Sequence, residues 1–279
     1  MQAHEAVKER ARRALAGALC ETRGTTVFDP EQDGYVFRLA DNLVNGVTVE
    51  QIRPFFDKAA GHELDGKMRA AYSSSALAAN SFTPWLADPG RLALAGESGF
   101  RSLEFEAVCP TGLAGTAPHL DLLAKGADAV VGVESKCIEY LDAHRDQGFA
   151  ESYEPVLAPH RALRAVAADL DGYLHLNAAQ LVKHMLGLFH TYPEKPATLL
   201  YLFWEPVNWR EWQVFADHRA EVRLFARTVA GGPVAFRAMT YRQLWDEWSL
   251  AAGPAWVEAH AECLRDRYEV RILSRSAEI

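Results

Sequence analysis

Only four cysteines occur in 279 residues, Cys20, Cys109, Cys137 and Cys263, and they lie far apart without a CxxC pair. That spacing argues against a disulfide framework or a structural zinc site and suits a reducing compartment, so a cytoplasmic location is expected. No apolar run reaches membrane-spanning length, and Glu5, Lys8, Glu9 and Arg10 stand where a secretory signal would carry its apolar core. A G-x-S-x-G elbow is missing, which leaves serine-hydrolase chemistry unsupported, and there is neither a P-loop nor a dinucleotide-binding glycine pattern. His184 with His190, and His260 with Cys263, have no third and fourth partners at zinc spacing. Internal repeats and low-complexity segments are absent as well. Positive charge is scarce too: 29 Lys and Arg face 37 Asp and Glu, and a net charge of −8 repels a polyanion in general.

With 49% hydrophobic residues, the chain can bury a large core. Glu5 to Leu19 reads as a charged amphipathic helix, followed by a mixed loop from Glu21 to Gly34, and Ser73 to Phe82 reads as a capped helix of small residues. Strands are expected at Ser102 to Val108, at 119–136 as a hairpin, at Thr198 to Trp204, and at Val234 to Met239 after the Gly231-Gly232-Pro233 turn. The order hairpin, helix, strand, helix, strand requires an α/β fold with a mixed central sheet flanked by helices. The expected division is a mainly helical N-terminal region, 1–95, packed on a core of 96–279.

The hairpin asks for a chemical explanation. Asp121, Glu134 and Lys136 sit in apolar strand sequence, and taking such charges out of water costs roughly several kcal/mol each unless they pair or hold a metal. Glu134 and Lys136 share one strand face. With Lys125-Gly126-Ala127-Asp128 as the turn, Asp121 comes opposite Gly132 and diagonal to Glu134, on that same face. Two carboxylates can hold a hard divalent cation such as Mg²⁺, while an ammonium beside them favours a water-derived nucleophile and the charge that builds on a phosphate under attack. Metal-assisted phosphodiester hydrolysis uses this set.

Asp121, followed after a short hairpin by Glu134-Ser135-Lys136 on a strand, resembles the signature of the PD-(D/E)xK nuclease superfamily, the fold of many restriction endonucleases. The likeness covers mainly residues 102–204. It departs at its first position, where Leu120 precedes Asp121 and the nearest proline is Pro118. The resemblance implies a restriction-endonuclease-like core, DNA as substrate, Mg²⁺ or Mn²⁺ held by Asp121 and Glu134, and Lys136 assisting the attacking water. It extends to the helix at Asn177 to Leu188, since several nuclease branches bring a helix Gln to the metal site or substrate. Here that residue is Gln180, one turn from His184 on one face.

Glu104 and Glu106 share a face of the preceding strand, and Glu106 is the added candidate ligand. His119 and Asn80 are weaker candidates, left outside the assigned site. Lys125, Arg145, Arg161, Arg164 and Lys183 lie near the site in sequence, but scattered cations are more often ordinary solvated surface, and no single one is assigned as a DNA contact. Six of the seven tryptophans, Trp204, Trp209, Trp212, Trp245, Trp248 and Trp256, gather toward the C-terminus as core or interface material, which leaves a homo-oligomer open. The expected function is a Mg²⁺-dependent DNA endonuclease. The alternative is a catalytically inactive protein of the same fold that serves as a binding or assembly module, and the intact two acids and lysine favour the enzyme.

Overall fold

The computed structural model describes residues 2–24, 28–57, 64–143, 148–251 and 253–273. Helix α1 (Gln2–Arg23) runs past Glu21, so the connection expected from that residue starts later. Two short helices follow: α2 (Val49–Phe56), and α3 (Ser74–Phe82), which Ser73 caps by accepting the Ala76 N–H. Then come strands β1 (Ser102–Val108), β2 (His119–Lys125) and β3 (Val130–Lys136). Helices α4 (Glu154–Leu157), α5 (Arg161–Ala167) and α6 (Ala178–Thr191) lead to β4 (Ala197–Phe203). The chain continues through α7 (Gln213–Thr228), β5 (Ala235–Thr240), α8 (Tyr241–Leu250) and α9 (Ala255–Tyr268).

The fold is α/β, with one mixed five-stranded sheet in the order β1-β2-β3-β4-β5. β1, β2 and β3 form an antiparallel meander, whereas β4 and β5 join in parallel. Parallel joins need crossovers, supplied here by α4 to α6 and by α7. Val130, Val131, Gly132 and Val133 are buried, as a central strand covered on both faces requires. The covers can be told apart on β3: Ser135 Oγ donates to Ser74 O of α3 at 3.1 Å, while Glu134, the next residue back, meets His184 of α6. Consecutive strand residues face opposite ways, so α3 and α6 lie on opposite sides of the sheet.

The hairpin register differs from the expectation. Leu123, not Asp121, stands opposite Gly132, because Lys125 pairs with Val130 and the connection is 126–129, closed by Gly126 N–H to Ala129 O at 2.9 Å. The N-terminal elements share the large core cluster, which runs from Val7 to Ile272. Arg267 of α9, 2% exposed, ties them in place by donating to Leu15 O at 2.9 Å, Asn42 Oδ1 at 3.1 Å and Ala71 O at 2.7 Å.

Candidate active site

Strand regularity ends where the acids meet. The β1–β2 ladder holds Phe105–Leu122 and Ala107–Leu120 but skips Glu106–Asp121, and Glu106 has φ 52° in the middle of a strand. A left-handed glutamate costs about 1 kcal/mol or more and persists only where its surroundings impose it, a pattern concentrated at functional sites. The β2–β3 ladder stops at Leu122–Val133, and beyond it the Asp121 carboxylate accepts the Ser135 N–H at 2.7 Å. Leu120 reaches over Gly132, whose added Cβ would lie 2.7 Å from Leu120 Cδ1 and 3.0 Å from Leu188 Cδ1. Strict alternation from the observed register would turn Leu120 to the other face. Extended by one step, the observed register sets Asp121 opposite Glu134, so parity already carries both acids to one face, and the irregularity at Glu106 and Asp121 accompanies the turn of Leu120 over Gly132.

Glu134 is 2% exposed and held from two sides. Lys136 Nζ donates to its Oε1 at 2.6 Å, and His184 Nε2 lies 2.9 Å from its Oε2 without the alignment of a hydrogen bond. Burial alone would push the Glu134 carboxyl up, but Lys136 and His184 outweigh it and bring it down to about 2. Burial would likewise lower the Lys136 ammonium, but Glu134, Glu139 and Asp121 together hold it above the ordinary lysine range. Asp121 moves the opposite way: burial, then the charges of Glu134 and Glu106, push it well above the usual carboxylate range against the pull of Lys136 and the Ser135 N–H. Neighbouring carboxyls driven apart in this manner are a pattern enriched at functional sites and found in structural ion-pair networks as well.

Glu106 lies near enough to act on Asp121, and its Oε2 is 3.8 Å from His119 Nδ1. Gln180 and His184 line one cleft of about 830 Å³ with His119, Lys183 and the aromatic rings of Phe149 and Tyr153. The Lys183 ammonium stands 5.7 Å and 5.6 Å from those two ring centres. His184, one turn from Gln180 on the same helix face, touches Glu134, a contact that the helical spacing alone does not announce. Asn80 is elsewhere: fully buried, it bonds Val44 N–H, Asn42 O and Tyr268 Oη, clamping α3 to the N-terminal segments and α9. Glu104 pairs with Lys125 at 2.7 Å, Arg161 and Arg164 are exposed on α5, and Arg145 lies outside the described residues. Trp204, Trp245 and Trp248 are core residues.

Among the described residues, no three His, Cys, Asp or Glu side chains are grouped to hold a metal by themselves. None of the described helices is long and apolar enough to cross a membrane. A family model described as "Restriction Endonuclease associating with ARP" matches residues 13–269. The chain belongs to this family. The REase-ARP match takes in α1 from its middle, the sheet, and every residue of the acid cluster. No curated protein and no solved structure matches the chain.

Proposed function

We propose that this REase-ARP protein is a metal-dependent nuclease of the PD-(D/E)xK kind that hydrolyses phosphodiester bonds in DNA. The observation that carries the reading is the convergence of Asp121 on the buried Glu134–Lys136 pair at the broken end of the hairpin. The donors fit Mg²⁺ or Mn²⁺: both acids offer oxygen, their mutual repulsion would be relieved by a cation, and Mg²⁺ characteristically takes one or two carboxylates and completes its shell with water and substrate phosphate. Asp121 and Glu134 would hold the ion, with Glu106 as the third acid at hand. When bound, such an ion polarises the phosphate and makes a water-derived nucleophile accessible at neutral pH.

The remaining work falls to the chain. Lys136, kept protonated by its acidic neighbours, orients the attacking water and balances the charge that builds on the phosphate. His184 fixes Glu134 from the opposite side, so the carboxylate does not swing with its partner. Gln180, on the cleft wall, supplies an amide to the substrate. Four free cysteines agree with a cytoplasmic setting, and the family description suggests ARP as an associate.

One feature favours the alternative, a catalytically inactive module: both Glu134 oxygens already have partners. Incubating the protein with plasmid and short duplexes in Mg²⁺, Mn²⁺ or chelator separates the two. Cleavage should need metal and fall by about 10²-fold or more in Asp121→Ala and Lys136→Ala, the scale expected when a group stabilising developing charge is removed. Equal behaviour of wild type and variants would leave the module as the better reading.

A further inference from the structure

We propose that the cleft between α1, residues 67–75 and the end of β3 grips the sugar-phosphate backbone of duplex DNA beside the acid cluster, a reading that rests on the nuclease assignment. The cleft measures about 370 Å³, and Lys8, Arg12, Lys67 and Lys136 line it. Glu139 is the acid in that lining, and one of its oxygens is committed to the Cys137 N–H at 2.7 Å. In a chain of net charge −8, four cations and one acid line this wall, although Lys8, Arg12 and Lys136 also have acidic partners just outside it. Lys136 belongs both to the cleft and to the Glu134 pair, so the cleft adjoins the acid cluster through this one side chain.

Lys136 is held by the buried Glu134, whereas the acids beside Lys8 and Arg12 are themselves partly exposed. Lys67 is exposed, and among the described residues no acid pairs with it. Lys8, 17% exposed, pairs with Asp142, 54% exposed, and Arg12 has Glu9 at 3.7 Å; partly exposed pairs near a surface are worth about 1 kcal/mol or less, which a phosphate can replace. Arg12 also stacks on Tyr72, 5.0 Å from the ring centre, which orders its guanidinium against the cleft wall. Ser74 and Ser75 add hydroxyls of the type that position phosphates without reading sequence. Helix α1, remote from the acids in sequence, thus acquires a part in holding substrate.

The test is duplex binding by fluorescence anisotropy in chelator, across a salt series, on the full chain. Arg12→Ala/Lys67→Ala should weaken binding about ten-fold and make the salt slope shallower by about one per lost contact, while Arg53→Ala, which removes an exposed charge on α2, should match wild type. Arg12→Lys/Lys67→Arg should restore binding, which a purely structural loss would not explain. The proposal is overturned if the folded double alanine variant binds as wild type does, if wild type does not bind duplex, or if inorganic phosphate or a mononucleotide competes as well as duplex does. Cleavage measured in parallel separates the two readings: binding without cleavage removes the nuclease and leaves the grip, whereas cleavage with unaltered binding by the double variant removes the grip alone.

Discussion

Asp121→Asn should stabilise the protein while abolishing its chemistry. Asp121 is pushed above the ordinary range by burial and by Glu134 and Glu106. A carboxyl whose folded pKa exceeds its unfolded value binds its proton more tightly in the folded state, so its ionised form at neutral pH subtracts stability. That penalty fades as pH falls through the raised folded value toward the unfolded 3.8. Asparagine keeps an oxygen for the Ser135 N–H, bonded at 2.7 Å, and discards only the charge. Relief of one partly buried like-charge contact is worth about 1 kcal/mol, and for a chain of this size that raises Tm by about 2–4 °C. Calorimetry in chelator at neutral pH should show the gain, and calorimetry near pH 4 should show it shrink. Added Mg²⁺ should close the gap from the other side, because an ion bound to the folded state at a hundredfold excess over its Kd contributes about 2.7 kcal/mol to wild type and less to the variant. An Asn variant less stable than wild type in chelator at neutral pH, or equally stabilised at both pH values, would refute the reasoning.

Glu134→Gln carries the opposite sign: it strips the charge partner from Lys136 Nζ, only 18% exposed, and should cost about 2–4 kcal/mol, read as a drop in the denaturation midpoint. Because the Glu134 carboxyl sits at about 2 against an ordinary 4.5, its contribution should be intact above about pH 4.5 and vanish as pH falls to about 2, an acid limb that the Gln variant lacks. Gly187→Ala should destabilise by about 1–3 kcal/mol, since the new methyl would lie 2.3 Å from Cys109 O and force α6 outward. The same displacement carries His184 and Gln180 away from Glu134, so chemical denaturation and cleavage should both register it.

Strand and helix positions were legible because local patterns set them. Ser102–Val108 appears as read, and Ser73 and Asn177 cap their helices through the N–H groups of Ala76 and Gln180. The hairpin shows where such reading stops. Its register slipped by two residues, and a slip of two preserves parity, so Leu123 and Gly132 face each other without disturbing which residues of β3 share a side. Extended by one step, that register sets Asp121 opposite Glu134, whereas the left-handed Glu106 beside it is announced by no sequence pattern, since that conformation is ordinarily glycine's. The His184–Glu134 contact was hidden by distance along the chain; only the shared helix face of Gln180 and His184 hinted at it.

Net charge is a poor guide to a local surface, and the cause is physical. A total of −8 sums over the whole surface, whereas a phosphate within a Debye length of a cleft responds to the charges lining it. Lys8, Arg12, Lys67 and Lys136 are spread over nearly half the chain, and folding gathers them on one wall. If the proposed grip holds, the remaining acids would reject non-specific contact and leave a positive path leading to Lys136. Reversing the remainder instead of the path, by replacing exposed acids far from the cleft, should raise non-specific DNA affinity without improving cleavage. Duplex binding and turnover measured on such a surface-neutralised variant would show both rising together if the positive path were not selective.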